Sequence, residues 1–232
     1  MKRCSMKNIK GYFTRFEKIL WLGSVFLIVG SFYIFDKESY YTLVASFIGV
    51  TAILLNAKGN PIGQFLMILF SMLYGYISYR FQYYGEMVTY LGMTMPMALV
   101  ALISWLRHPF QGNKKEVEVN HLTKSEIYGM FLLTVVVTFA FYHVLSWFHT
   151  ANIIPSTFSV TTSFLAVYLT FRRSPYFSLA YAMNDIVLIV LWILASFESI
   201  HYVSVTVCFC AFFINDVYAF ISWKKMEKRQ RR

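Results

Sequence analysis

Charge is scarce in this chain: Asp, Glu, Lys and Arg supply 14% of its 232 residues, where a soluble domain carries about a quarter. That scarcity excludes an ordinary water-soluble fold. Cysteine is scarcer. Of the three, Cys4 belongs to a basic N-terminal tail, while Cys208 and Cys210 stand two apart on a predicted helix and point in different directions. No disulfide framework or cysteine metal site follows. A Gly-rich phosphate loop, a nucleophile elbow and a metalloprotease helix motif are also missing. His201 is three residues from Glu198, but two ligands at a helix end without a third do not make a metal site. His143 and His149 read as part of an aromatic belt at a span end. The expectation is a non-enzyme with no metal and no cofactor.

What the chain has in quantity is apolar length: 58% of residues are hydrophobic and 19% aromatic. A helix crosses the hydrocarbon core with roughly 20 apolar residues, and eight such runs are predicted, at 18–35, 40–57, 61–79, 86–106, 126–148, 152–171, 176–197 and 199–222. With the N-terminus in the cytoplasm, 19 of the 21 Lys and Arg fall on cytoplasmic segments, leaving only Lys37 and Arg80 outside. This bias orients eight spans with both termini cytoplasmic. The first span is long and lacks a small-residue cleavage site, so a retained helix is expected. The net charge of +10 reports topology and attraction to anionic lipid. Nucleic acid is not expected as a partner, because no soluble domain presents a basic groove.

The longest polar break, 107–125, divides the spans into two sets of four. Sliding the halves by 118 positions superposes Ile103-Ser104-Trp105 on Ile221-Ser222-Trp223, Tyr84 on Tyr202, Ser78 on Ser196 and Tyr74 on Trp192. The reading is an all-α polytopic protein with two parallel three-helix repeats, spans 2–4 (40–106) and spans 6–8 (152–222). Span 5 (126–148) is the inverting linker and span 1 (18–35) an addition, with basic tails at 1–17 and 223–232.

Polar residues at membrane depth mark the candidate site. On span 7, Tyr181, Asp185, Leu188, Trp192 and Ser196 share one stripe, with Asn184 beside it. An intramembrane acid is a functional candidate by default, and a carboxylate between aromatic faces suits a flat cationic ligand. The alternative is that Asn184 and Asp185 bond to a neighbouring helix and hold the bundle together. Span 8 offers Asn215 and Asp216 with Phe212 and Ala219, placed nearer the cytoplasm, where Asp216 would reach water or a loop arginine such as Arg172. The first half contributes Gln64, Ser71, Tyr74, Tyr90 and Thr94, and Pro96 in mid-span frees a carbonyl around Gly92.

The segments Gly59-Asn60-Pro61-Ile62-Gly63-Gln64, RFQYYGEMVTYLGMT (80–94) and YAMNDIVLIVLW (181–192) resemble the bacterial nicotinamide riboside transporter family of the PnuC type, from about Tyr40 onward. That resemblance implies a fold related to SWEET proteins, a homotrimer in the bacterial plasma membrane, and facilitated uptake of an unphosphorylated vitamin as an NAD precursor, trapped by a cytoplasmic kinase. It places Asn184, Asp185, Trp192, Tyr90 and Thr94 among the substrate-binding residues, joined by Tyr181, Tyr74, Asn215 and Gln64 from the reading above. The expected pose sets the pyridinium against Trp192 and Tyr90. Relatives carrying thiamine, riboflavin or deoxynucleosides keep those substrates open. A membrane subunit needing an energy-coupling partner is a further alternative, and an Asp185–Asp216 pair doing acid–base chemistry a third.

Overall fold

A helix in lipid satisfies its backbone internally, so its caps decide where it begins. Thr14 opens the first: its hydroxyl accepts from the Glu17 N–H at 3.2 Å, and the Glu17 carboxylate accepts from the Thr14 N–H. Across residues 11–37, 40–150 and 152–232, the part described by the computed structural model, eight helices are long and apolar enough to cross a membrane. They are α1 (Arg15–Phe35), α2 (Tyr40–Ala57), α3 (Pro61–Arg80), α4 (Tyr84–Arg107), α5 (Lys124–Trp147), α6 (Ile153–Phe171), α7 (Phe177–Ser196) and α8 (Val203–Gln230), the last entered through a 3-10 turn at Ile200–Tyr202. Asn60 caps α3 ahead of Pro61, and a Thr123–Glu126 capping box opens α5. Cys4 and the basic residues before Gly11 lie outside the described residues.

Six helices close into a ring in which each packs on the next, in the order α2, α3, α4, α6, α7, α8 and back to α2. α1 lies outside the ring on α2 and α8, and α5 lies outside it on α6. Buried Glu17 fastens α1: it accepts from Lys58 Nζ at 3.0 Å and from Tyr218 Oη at 2.7 Å. Deeper, Trp21 Nε1 donates to Thr51 Oγ1 and Asn215 Nδ2 to Ser24 Oγ. α5 is held by the Arg172–Glu126 ion pair and a Thr138–Thr161 hydrogen bond. Both ends of the described chain reach the same face, termed here the terminal face; Lys37 and Arg80 lie on the opposite one.

Three features differ from the sequence expectation. The eighth span does not end at 222: α8 runs on to Gln230, so most of the expected 223–232 tail is helix, laced by Lys224–Glu227 and Glu227–Arg231 pairs one turn apart. The 107–125 break is not plain loop but holds an antiparallel hairpin, β1 (Pro109–Phe110) and β2 (Asn113–Val117). Its Val117 N–H donates to Gly59 O at 2.9 Å, and the Val117 side chain is buried against Trp105, Phe177, Trp223 and Met226. Finally, the helix ahead of Pro96 widens into a π-helical turn, Tyr90–Thr94, closed by the Met95 N–H on Tyr90 O.

Candidate functional site

Midway along the ring the helices part around a tight cavity of about 30 Å³, which must widen before it takes a small molecule. The first three-helix set supplies Gly49, Ile53 and Asn56 from α2, Met67 and Phe70 from α3, and Tyr90 and Thr94 from α4. The second supplies Ser163 from α6, Phe177, Tyr181, Asn184 and Asp185 from α7, and Phe209, Phe212 and Asp216 from α8. Phe70 meets Phe212 at 5.5 Å and Tyr90 at 6.0 Å between ring centroids, edge to face, and forms an aromatic wall with Phe209 behind. A Cβ on Gly49 would sit 2.3 Å from the Phe212 ring, so a larger residue there forces that ring to move.

Charge in this lining has one sign. Asp185 and Asp216 are neighbours in it, and no Lys, Arg or His is among the lining residues. Asp185 Oδ2 and Thr94 Oγ1 are sealed from solvent without a hydrogen-bond partner. Orphaned polar atoms in a buried chamber are what a polar ligand would satisfy.

Of the residues singled out from sequence, Tyr181, Asn184, Asp185, Tyr90 and Thr94 come together in this lining. Asn184 also holds the bundle, its Oδ1 accepting from Thr162 Oγ1 at 2.8 Å and Ser163 Oγ at 3.0 Å. Four others stand back from the lining. Gln64 is buried rather than interfacial and donates to Asn56 Oδ1 at 2.9 Å, orienting a lining residue. Asn215 faces Ser24 of α1. Trp192, fully buried, donates from Nε1 to Tyr74 Oη at 2.7 Å; the aromatic side chains in the lining are Phe70, Tyr90, Phe177, Tyr181, Phe209 and Phe212. Asp216 does not reach Arg172, which pairs with Glu126; it turns inward to Asp185. Sequence reasoning missed Asn56, Phe70 and Phe209. The 209, 212, 216 spacing on α8 was the available signal for a shared face.

The chamber is shut at both ends. Toward the opposite face, Trp192 packs on Tyr83 (4.8 Å) and Tyr202 (5.6 Å) above Tyr74. Burial pushes the Tyr83 phenol, which lies between spans, up to about 12, so it stays protonated. Toward the terminal face, Trp105, Phe177 and Trp223 form the floor, with Phe177–Trp223 centroids 4.8 Å apart and Trp105–Trp223 5.4 Å. The floor is reciprocal across the ring. Trp105 Nε1 and Ser104 Oγ donate to the carbonyls of Thr170 and Phe171; Trp223 Nε1 and Ser222 Oγ donate to those of Asn56 and Ala57.

The nicotinamide mononucleotide transporter family model matches residues 39–225. The chain is 28% identical over 231 residues to the nicotinamide riboside transporter PnuC of Neisseria mucosa, covering 96% of this chain and 86% of that protein. It is 22% identical over 213 residues to the PnuC of Haemophilus influenzae, covering 91% of each. A solved crystal structure of the vitamin B3 transporter PnuC superposes with a TM-score of 0.82 at 25% identity, over 95% of each chain.

Proposed function

The chain belongs to the nicotinamide mononucleotide transporter family, and on that premise we propose that it carries nicotinamide riboside, without its phosphate, across the membrane. One observation carries this reading. The chamber presents Asp185 and Asp216 and no basic side chain, a setting that favours a pyridinium cation and disfavours the phosphate of a mononucleotide. The names of both PnuC relatives support the same substrate. The ring of the riboside lies against the Phe70, Tyr90, Phe209 and Phe212 walls, and Asn56, Thr94 and Asn184 meet ribose hydroxyls or the carboxamide.

The protein is a multi-pass membrane transporter and not an enzyme. On this reading transport is uniport, by rocking of one three-helix bundle against the other about the chamber, with uptake retained by a cytoplasmic kinase. The parallel repeat is supported by the reciprocal floor and by two pairs matched at the 118 offset that touch, Tyr74 with Trp192 and Trp105 with Trp223. Both termini are cytoplasmic, in keeping with the basic terminal face, and three copies assemble in the plasma membrane. Liposomes holding the purified protein alone should take up labelled nicotinamide riboside and exclude the mononucleotide. Uptake only with an added energy-coupling subunit, or preference for thiamine or a deoxynucleoside, would overturn the reading.

A further inference from the structure

A polar seam leads from the chamber toward the opposite face between α4 and α6, which pack together. On α4, Glu86, Tyr90 and Thr94 recur every four residues; on α6, Ser159 and Ser163 do the same. Tyr90, Thr94 and Ser163 line the chamber. Glu86 and Ser159 stand one turn further out, beside each other. Both residues are buried, Glu86 with 1% exposure. Yet both Glu86 carboxyl oxygens and Ser159 Oγ lack a hydrogen bond of ordinary geometry, as do the nearby sealed Tyr83 Oη and Thr150 Oγ1. No Lys, Arg or His compensates the carboxyl among the described residues. Thr150 presses on Gly85, where an added Cβ would lie 2.6 Å from its methyl.

A carboxyl buried without a cation weakens the fold that holds it. Replacing it with an uncharged residue of the same size would pack as well, so the fold alone gives no reason for an acid here. The substrate does. We propose that Glu86, with Ser159 beside it, is a second holding point for the cationic ring, met between the opposite face and the chamber. This inference rests on the reading that the cargo is a pyridinium nucleoside. The carboxyl is buried where α4 packs on α6; parting the two helices at that end uncovers it, one helical turn from Tyr90. The acid of the seam then hands the ring charge to the acids of the chamber, and the charge is never without a counter-ion along the way.

The test compares wild type, Glu86→Gln and Glu86→Asp in the full chain, by initial uptake of labelled nicotinamide riboside into liposomes and by melting temperature and riboside affinity in detergent. Glu86→Gln should lose about tenfold or more in uptake, the scale of one charge-assisted contact. Its melting temperature should equal or exceed that of wild type, and its affinity at the chamber should hold to within about threefold. Glu86→Asp should restore most of the uptake. Wild-type uptake by Glu86→Gln overturns the proposal, as does a loss shared by both variants together with a lower melting temperature, which marks a packing role. If wild type itself carries no riboside, the transport reading fails first. If wild type carries it and Glu86→Gln does equally, only the holding point is lost.

Discussion

The two three-helix bundles are alike at the floor and unlike at the waist. At the floor each contributes a Ser-Trp pair that donates to the last carbonyls of a helix in the other bundle. At the waist α2, α3 and α4 bring Asn56, Phe70, Tyr90 and Thr94, while α7 and α8 bring both chamber carboxyls. Closing the structure is thus shared work, while the chamber carboxyls stand on one side. In the proposed rocking of one bundle on the other, those matched contacts are the hinge. At the chamber itself, the proposed ligand's one cationic ring meets acids from one bundle only.

The strongest way to break this contrast is at the acids. Asp185→Asn should lower nicotinamide riboside uptake about 100-fold, or ~3 kcal/mol, the range for truncating one member of a desolvated charge pair; unchanged kinetics would remove the waist from recognition. On the first bundle, Asn56→Ala should weaken riboside affinity about tenfold, the loss of one or two neutral hydrogen bonds, read by thermal shift with increasing ligand. A loss as large as that of Asp185→Asn would make the two bundles equal partners after all. The floor is sharpened by a matched pair: Trp105→Phe and Trp223→Phe each delete one buried N–H bond and should each cost about 1 kcal/mol of stability. Unequal melting shifts would mean that the reciprocal bonds are not equivalent in energy. The smallest effect belongs to Trp192→Phe, which stands behind the chamber wall and should change riboside affinity less than about threefold, seen by the same titration.

Much of this was readable in the sequence. Apolar run length and the Lys and Arg bias report the membrane and the face of each loop, because lipid imposes those rules on every span separately. The isolated acid Asp185 stood out for the same reason. What was not readable depends on which faces meet. Trp192 shares a stripe with Asp185 on α7, yet two turns of rise carry it out of the chamber and against Tyr74. Asp216 lies far from Asp185 in sequence, and only the packing of α8 on α7 makes the two neighbours. Glu86, two residues from the start of α4, passes for an ordinary acid at a span edge until the packing of α4 on α6 buries it. The helical course of 223–230 was hidden because charge there reads as tail, when one-turn ion pairs also support a solvated helix.

The wide turn at Tyr90–Thr94 makes α4 a shaft of two phases. An α-helix advances about 100° per residue, so one extra residue taken into a turn resets the angular bearing of everything beyond it. Above the turn the shaft points Glu86 at Ser159; below it, the new bearing delivers Trp105 to the Thr170 carbonyl. Removing a single residue from 90–94 would leave the helix almost the same length and both its ends apolar, while swinging Trp105 away from its acceptor. In this protein the alignment of the seam with the floor is a matter of angle, set by one residue.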